Sequence, residues 1–508
     1  MRLSENPVLT KELRTRMRGT RAYWIILAYV GLPSLVVLIT YISYTAYQSP
    51  SGSQAAFQLG KVFYSTVFTI QALLVGLITP ALTAGGVSLE KEQRTYDLLS
   101  LTKLPHRAII QGKLFSATLF VALLLTSSLP LASLCFLLGG IAPSQVVAAY
   151  VILLSCAFLY GSVGIASSSV AKSTTNATSA AYGSILLLFF LTLPLAVMGI
   201  GRSFGAGSPG VGLTALNPVG AVNSGNLSEL YYGISLPAWL PALMLNCLMG
   251  VILTVTAIHR LEYPRTDRSP LLRLLCAGFA AVAAFFVYGF LAPRSTAAGG
   301  VLGRSVDSMM AVSILTLCGT IVIAGIFATG DRLTAAGSLL RLIFDPRRLR
   351  IGDAASGFLY CVLLVLLCGA ILYIGAGTFP RTPILKLILL CLAFLWVIGM
   401  MGLWLSMAAR NRWSALATTF AFSSVLFVVP MLTLVNLGNG PKKPTTLTNL
   451  LYLSPIPAAL ELSGQDMKEI RSPQLAFGNT SFLLVTSVLY CSAGALFLVG
   501  AERNRRRQ

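Results

Sequence analysis

Charge is what this sequence lacks most. Only 10% of its 508 residues are Asp, Glu, Lys or Arg, whereas a soluble domain carries roughly a quarter. That deficit excludes ordinary water-soluble domains and a disordered chain alike. Acidic residues are scarcest, with 16 Asp+Glu against 37 Lys+Arg and a net charge of +21. Histidine is nearly absent: His106 and His259 are the only two, so there is no H-E-x-x-H pair for zinc hydrolysis. The nine cysteines form no C-x-x-C pair and fall inside or at the ends of apolar runs. They read as small hydrophobes rather than a disulfide or zinc framework. No G-x-x-x-x-G-K-[ST] occurs, so the chain has no P-loop with which to cradle ATP phosphates. No catalytic, cofactor-binding or metal-ligating residues are assigned.

Long apolar runs are abundant: 56% of residues are hydrophobic and the mean hydropathy is +0.79. A helix needs about 20 apolar residues to cross a bilayer core of roughly 30 Å. Stretches free of Asp, Glu, Lys and Arg cover 22–60, 62–89, 114–171, 173–201, 230–258, 274–293, 308–330, 354–380, 387–409, 413–441 and 472–501. The run 114–171 would be about 87 Å long as one helix, so it must be two spans, turning at Gly139-Gly140-Ile141-Ala142-Pro143. The reading is therefore all-α: a polytopic membrane protein of about twelve transmembrane helices. The first run follows a polar lead of more than twenty residues and has no A-x-A cleavage site, which marks it as a retained span.

The surplus of basic residues becomes topology once it is located. With a cytoplasmic N-terminus and twelve alternating spans, 27 Lys/Arg lie inside and 10 outside. That asymmetry places both termini in the cytoplasm, in the inner (plasma) membrane of the cell. Nucleic acid is not needed to explain the charge.

The chain also reads as two halves. Residues 97–114 align with 338–355, matching at Leu98/Leu339, Leu99/Leu340, Leu101/Leu342, Pro105/Pro346, Arg107/Arg348 and Ile110/Ile351. Each half has a long inside loop after its second span and a long outside stretch between its fifth and sixth. The expectation is two parallel six-helix modules, residues 1–260 and a divergent copy at 261–508; six being even, both share one orientation.

Two inside segments carry local logic. In residues 1–21, Asn6 can cap a helix that begins at Pro7. Leu9, Leu13 and Met17 form an apolar stripe, and Lys11, Arg14, Arg18 and Arg21 form a basic face. Such a helix belongs in the headgroup plane of the bilayer. In the loop Ser88–Lys113, Ser88 can cap a short helix with Glu90 and Glu92 in its first turn, and Glu90→Arg94 is a favourable i,i+4 pair. A short charged helix held on two spans is a lever that a soluble partner can grip. The small-residue patch Gly161, Gly164 and Ser167–Ser169 reads as a packing surface.

These residues resemble a family. N-P-V-L-T-K-E-L-R-T-R-M-R at 6–18, I-T-P-A-L-T-A-G-G at 78–86, E-K-E-Q-R-T-Y-D-L-L-S-L-T-K-L-P at 90–105 and I-I-Q-G-K-L at 109–114 resemble permease subunits of the type-2 exporter group of ATP-binding-cassette (ABC) transporters. The resemblance covers the first six spans and thins in the second half, whose loop Asp331–Asp353 lacks the acidic run. It implies an interfacial elbow helix at 6–21, a coupling helix at 88–104, and re-entrant external helices within 202–236 and 437–478. It also implies ATP-driven export, with ATP and Mg bound on a separate nucleotide-binding subunit and none in this chain. Residue by residue, Glu90, Glu92, Arg94, Thr95, Asp97 and Leu98 would contact that subunit. A second permease or accessory subunit is a further implied partner, alongside the bilayer itself.

Two other classes remain at this point. A membrane anchor for an ATPase-driven machine would share these features without transporting anything. A secondary transporter would keep ionisable groups within its spans, and none is expected at mid-membrane here.

Overall fold

The computed structural model describes residues 6–47, 53–96, 104–138, 141–202, 218–223, 228–231, 234–262, 268–291, 354–375, 381–408, 418–419 and 481–506. The chain divides into two compact units, Met1–Arg268 and Ser269–Gln508. Seven described helices are long and apolar enough to cross a membrane: Ala22–Thr45, Phe57–Glu92, His106–Ser127, Pro143–Val170, Leu240–Glu262, Ile384–Ala408 and Leu484–Asn504. The protein is an all-α polytopic membrane protein, with one small β-hairpin among its described residues. Of the twelve spans expected from sequence, all but 308–330 and 413–441 contain a described helix of ten residues or more; those two stretches lie almost wholly outside the described residues, as do 331–353 and 437–478.

In the first unit, α1 (Pro7–Met17) leads to α2 (Thr20–Tyr47) and α3 (Ser53–Thr83), followed by the single turn α4 (Ser88–Glu92). Then come α5 (His106–Ser127), α6 (Leu129–Leu138), α7 (Pro143–Val170) and α8 (Thr174–Arg202). The short α9 (Pro218–Asn223), the hairpin β1 (Ser228–Tyr231) and β2 (Ile234–Pro237), and α10 (Leu240–Glu262) close the unit.

The centre of this unit is α3 against α7. Phe68, Val75, Phe120, Leu124, Ile152 and Leu153 are sealed from solvent, with Tyr64, Phe68 and Tyr150 stacked edge to tilt through the middle. Small residues let the helices close. A Cβ on Gly161 would meet Leu114 at 2.9 Å, and one on Gly164 would clash with Thr83 and come within 3.1 Å of the Ala84 nitrogen. The patch is a packing surface, as its composition predicts. Helix α10 meets α7 through a hydroxyl pair, Ser162 and Thr254 at 3.1 Å, with Gly250 under the ring of Phe158. By contrast α2 exposes Trp24, Leu27, Leu35 and Ile42: an apolar face that in a bilayer meets lipid.

Two details depart from the sequence reading. The third span breaks at Ser128, where Pro130 follows and cannot continue the ladder; the Ser128 hydroxyl turns back to the Leu125 carbonyl and meets the Tyr150 hydroxyl at 3.2 Å. Within 202–236, where re-entrant helices are expected, the described residues form one six-residue helix and an antiparallel hairpin in register Ser228↔Pro237 to Tyr231↔Ile234. The Tyr64 hydroxyl donates to the Val222 carbonyl at 3.0 Å and ties α9 to the start of α3. That end of the unit lies opposite the end carrying α1 and α4.

The second unit contains α11 (Ser269–Leu291), α12 (Ala354–Gly375), α13 (Arg381–Ala408) and α14 (Phe482–Arg506). Helices α13 and α14 pack by aromatic rings over glycine: Trp396 lies over Gly494 and Trp404 over Gly500, beside the ring pairs Phe394–Tyr490 and Trp404–Phe497. Helix α12 joins them through Phe358 on Gly399. The Tyr360 hydroxyl donates to the Arg273 carbonyl at 2.6 Å, and the Arg273 guanidinium stands 5.4 Å from the ring.

Candidate functional site

The segment Thr83–Thr95 is built to leave a helix end and return to the bundle. Helix α3 carries Pro80 three residues before its end. The chain then turns through Ala84-Gly85-Gly86, and a side chain on Gly86 would press on the Thr83 carbonyl at 3.0 Å and Ile165 at 3.3 Å. Val87 is fully buried beneath α4, in a small core with Ile110, Leu114, Ile165, Ala257 and Ile258.

Helix α4 is held from three sides. At its start, the N–H groups of Val87 and Ser88 both donate to the Ser168 hydroxyl of α7 at 2.8 Å. Ser88 therefore does not cap α4; its own hydroxyl donates back to Ala84. Ser168 fills the vacancy because α7 brings it underneath. Midway, the Lys91 ammonium donates to the Ser169 carbonyl at 2.6 Å. At its end, the Glu92 carboxylate accepts from both the backbone N–H and the hydroxyl of Thr174, the first residue of α8. A carboxylate on those orphan donors is the favourable arrangement for a helix N-terminus.

Glu90 points inward. Its carboxylate takes the Lys113 ammonium of α5 at 2.8 Å, and Glu12 of α1 takes the same ammonium at 3.1 Å. The Lys113 side chain is 7% exposed and the two glutamates 24% and 23%. The expected Glu90–Arg94 pair is not made, because α4 stops before Arg94 can lie on its face. The Arg94 backbone is left-handed, φ +56°; Arg94 N–H donates to Lys91 O at 3.2 Å and Thr95 N–H to Glu90 O at 2.9 Å. This is a Schellman closure with arginine where glycine is usual. The side chains left facing outward are Leu89, at 46% exposure, Glu92 beside its Thr174 bonds, Gln93, Arg94 and Thr95. Asp97 and Leu98 lie outside the described residues.

Helix α1 lies alongside. Asn6 caps it as its sequence predicts, accepting from Val8 N–H at 3.0 Å, and donates its amide to Ala108 of α5 at 2.7 Å. Gly112 admits the contact: a Cβ there would stand 2.9 Å from Val8 and 3.1 Å from Asn6 and the Leu9 nitrogen. Further along, Arg16 donates to the Leu82 carbonyl of α3 at 2.9 Å, and burial pushes its guanidinium below the usual value while Glu12 opposes that shift. Lys11, Arg14 and Arg18 face away, lining an open depression with Pro7, Thr10 and Thr15. The basic face is shorter than the sequence spacing predicts: Arg18 only caps α1, Gly19 takes φ +94°, and Arg21 belongs to α2.

Sequence reasoning missed Glu12, Lys113, Ser168 and Thr174 as members of this site. Lys113 had one visible signal, a lone cation at the head of a 58-residue uncharged run. Nothing in the local sequence indicates that its partners lie 23 and 101 residues away.

Among the described residues no group of His, Cys, Asp and Glu could hold a metal ion. The site joins α1, α4, α5, α7 and α8 through charged and backbone groups. The family model for the ABC-2 family transporter protein matches residues 7–267, a span that contains every element of the junction. No curated protein matches the chain.

Proposed function

The chain belongs to the ABC-2 transporter family, and from that membership we propose that it is the membrane-spanning permease of an ATP-driven exporter, worked by a separate ATPase through α4. The observation that supports this reading is the division of labour on α4. Three neighbouring elements hold it through Ser168, Lys113 and Thr174, while Leu89, Gln93, Arg94 and Thr95 stand clear. A force applied to those outward groups passes into α5, α7 and α8 together.

The division also refines which residues meet the ATPase. Glu90 serves the permease's own junction, and Glu92 anchors α8. Contact then rests on Leu89, seated in an apolar socket, and Arg94, paired with a carboxylate. The family resemblance adds Asp97 and Leu98, which follow in the sequence, to that contact. On this reading both termini and α4 are cytoplasmic and the hairpin is external, in accord with the 27:10 division of basic residues. Residues 261–508 form the second, divergent module, whose loop 331–353 lacks the acidic run, so one module carries the stronger grip.

The test is co-purification with the ATPase subunit. Leu89→Asp and Arg94→Glu, both at exposed positions, are each expected to reduce the recovered ATPase at least tenfold and leave the thermal stability of the permease unchanged. Full recovery with both variants would remove α4 as the docking element.

A further inference from the structure

Three features outside the outward face of α4 bear on its movement: Lys113 is nearly sealed, it is shared by carboxylates of two separate helices, and no other side-chain hydrogen bond or ion pair is described between those helices. Glu12 reaches it from α1 and Glu90 from α4, at 3.1 and 2.8 Å. The other attachments of α4 run to α7 and α8, and those of α1 run to α5 and the end of α3. Lys113 is thus the described side chain that pairs directly with both α1 and α4. The ammonium stem is also fixed from behind, since its Cδ lies under Gly86 in the turn that launches α4. A cation this buried cannot lose both carboxylates without an uncompensated charge, so it follows whichever helix moves.

We infer that Lys113 is a positioning residue that joins α1 and α4 into one moving piece. Pulling α4 then drags α1 across the bilayer surface. Gly19, with its left-handed backbone, is the joint at which α1 swings against α2. The purpose of this joint rests on the reading of α4 as the ATPase-facing helix, but its existence does not.

Amide hydrogen exchange on the full chain in nanodiscs, with no ATPase present, tests it. In the wild type and in Lys113→Arg, segments 7–17 and 88–96 are expected to exchange slowly. In Lys113→Met and Lys113→Gln both segments should exchange several-fold faster together, while 152–163 in the middle of α7 is unchanged. Wild-type protection of either segment in the neutral variants would overturn the inference, as would failure of Lys113→Arg to restore both. So would general loosening that includes 152–163, because Lys113 would then support the whole module rather than join two helices. A negative result leaves α4 as the ATPase contact untouched, and loss of that contact leaves the joint untouched.

Discussion

At the scale of single residues, Arg94 separates structure from function. A left-handed conformation costs a residue with a Cβ about 1–2 kcal/mol, and glycine avoids that cost while losing about 0.5–1 kcal/mol of backbone entropy. Arg94→Gly should therefore leave α4 as well closed as before or better, by up to about 1 kcal/mol, and remove only the outward guanidinium. Hydrogen exchange of 88–96 checks this: unchanged or slower exchange is expected. Faster exchange would mean that the side chain, not the backbone, holds the turn. A β-branched residue at the same position should open it, since its Cβ substituents crowd the left-handed region further. Retaining arginine at a position suited to glycine is the kind of local cost that functional sites carry.

At the scale of elements, small residues decide which helices meet. A methyl group on Gly164 would collide with Thr83 at the end of α3, and one on Gly112 with Val8 of α1, whereas Gly31 on α2 has open space around it. Gly164→Ala and Gly112→Ala are expected to destabilise the first unit by about 1–3 kcal/mol through overpacking. Gly31→Ala should be neutral or slightly stabilising. Thermal unfolding of the purified protein distinguishes these, and equal behaviour of all three would refute the packing account. Elements with local signals were legible in the sequence: Asn6-Pro7 starts α1, Pro143 starts α7, and the Gly139–Pro143 turn splits the long apolar run. The break at Ser128 was missed because a Leu-rich run hides it, and its support, the Tyr150 hydroxyl, comes from another helix. The hairpin was missed because four-residue strands carry too short a pattern to compete with flanking apolar helices.

At the scale of the whole molecule, composition determined the class of protein before any contact was known. The α1–α4–α5 junction was legible only as a location. Ser88–Lys113 was marked by its charge, yet the same charges that drew attention to it, Glu90 and Glu92, are the ones the fold consumes internally. An i,i+4 pair is the natural local partner for Glu90; the buried ammonium of Lys113 is the stronger one, and only tertiary structure supplies it. Scarcity of charge is what gives each of these few groups its weight, because in an apolar bundle an unpaired ion has nowhere to go.

The central claim, that the outward face of α4 is where the ATPase grips this permease, is tested most directly by cross-linking from position 89. With Leu89→Cys carrying a short thiol-directed photo-cross-linker in the assembled complex, the account predicts a covalent adduct to the ATPase subunit. A control cysteine at Ser235, on the exposed hairpin at the other end of the unit, should yield none. An intact complex that cross-links from 235, or from neither position, would contradict it.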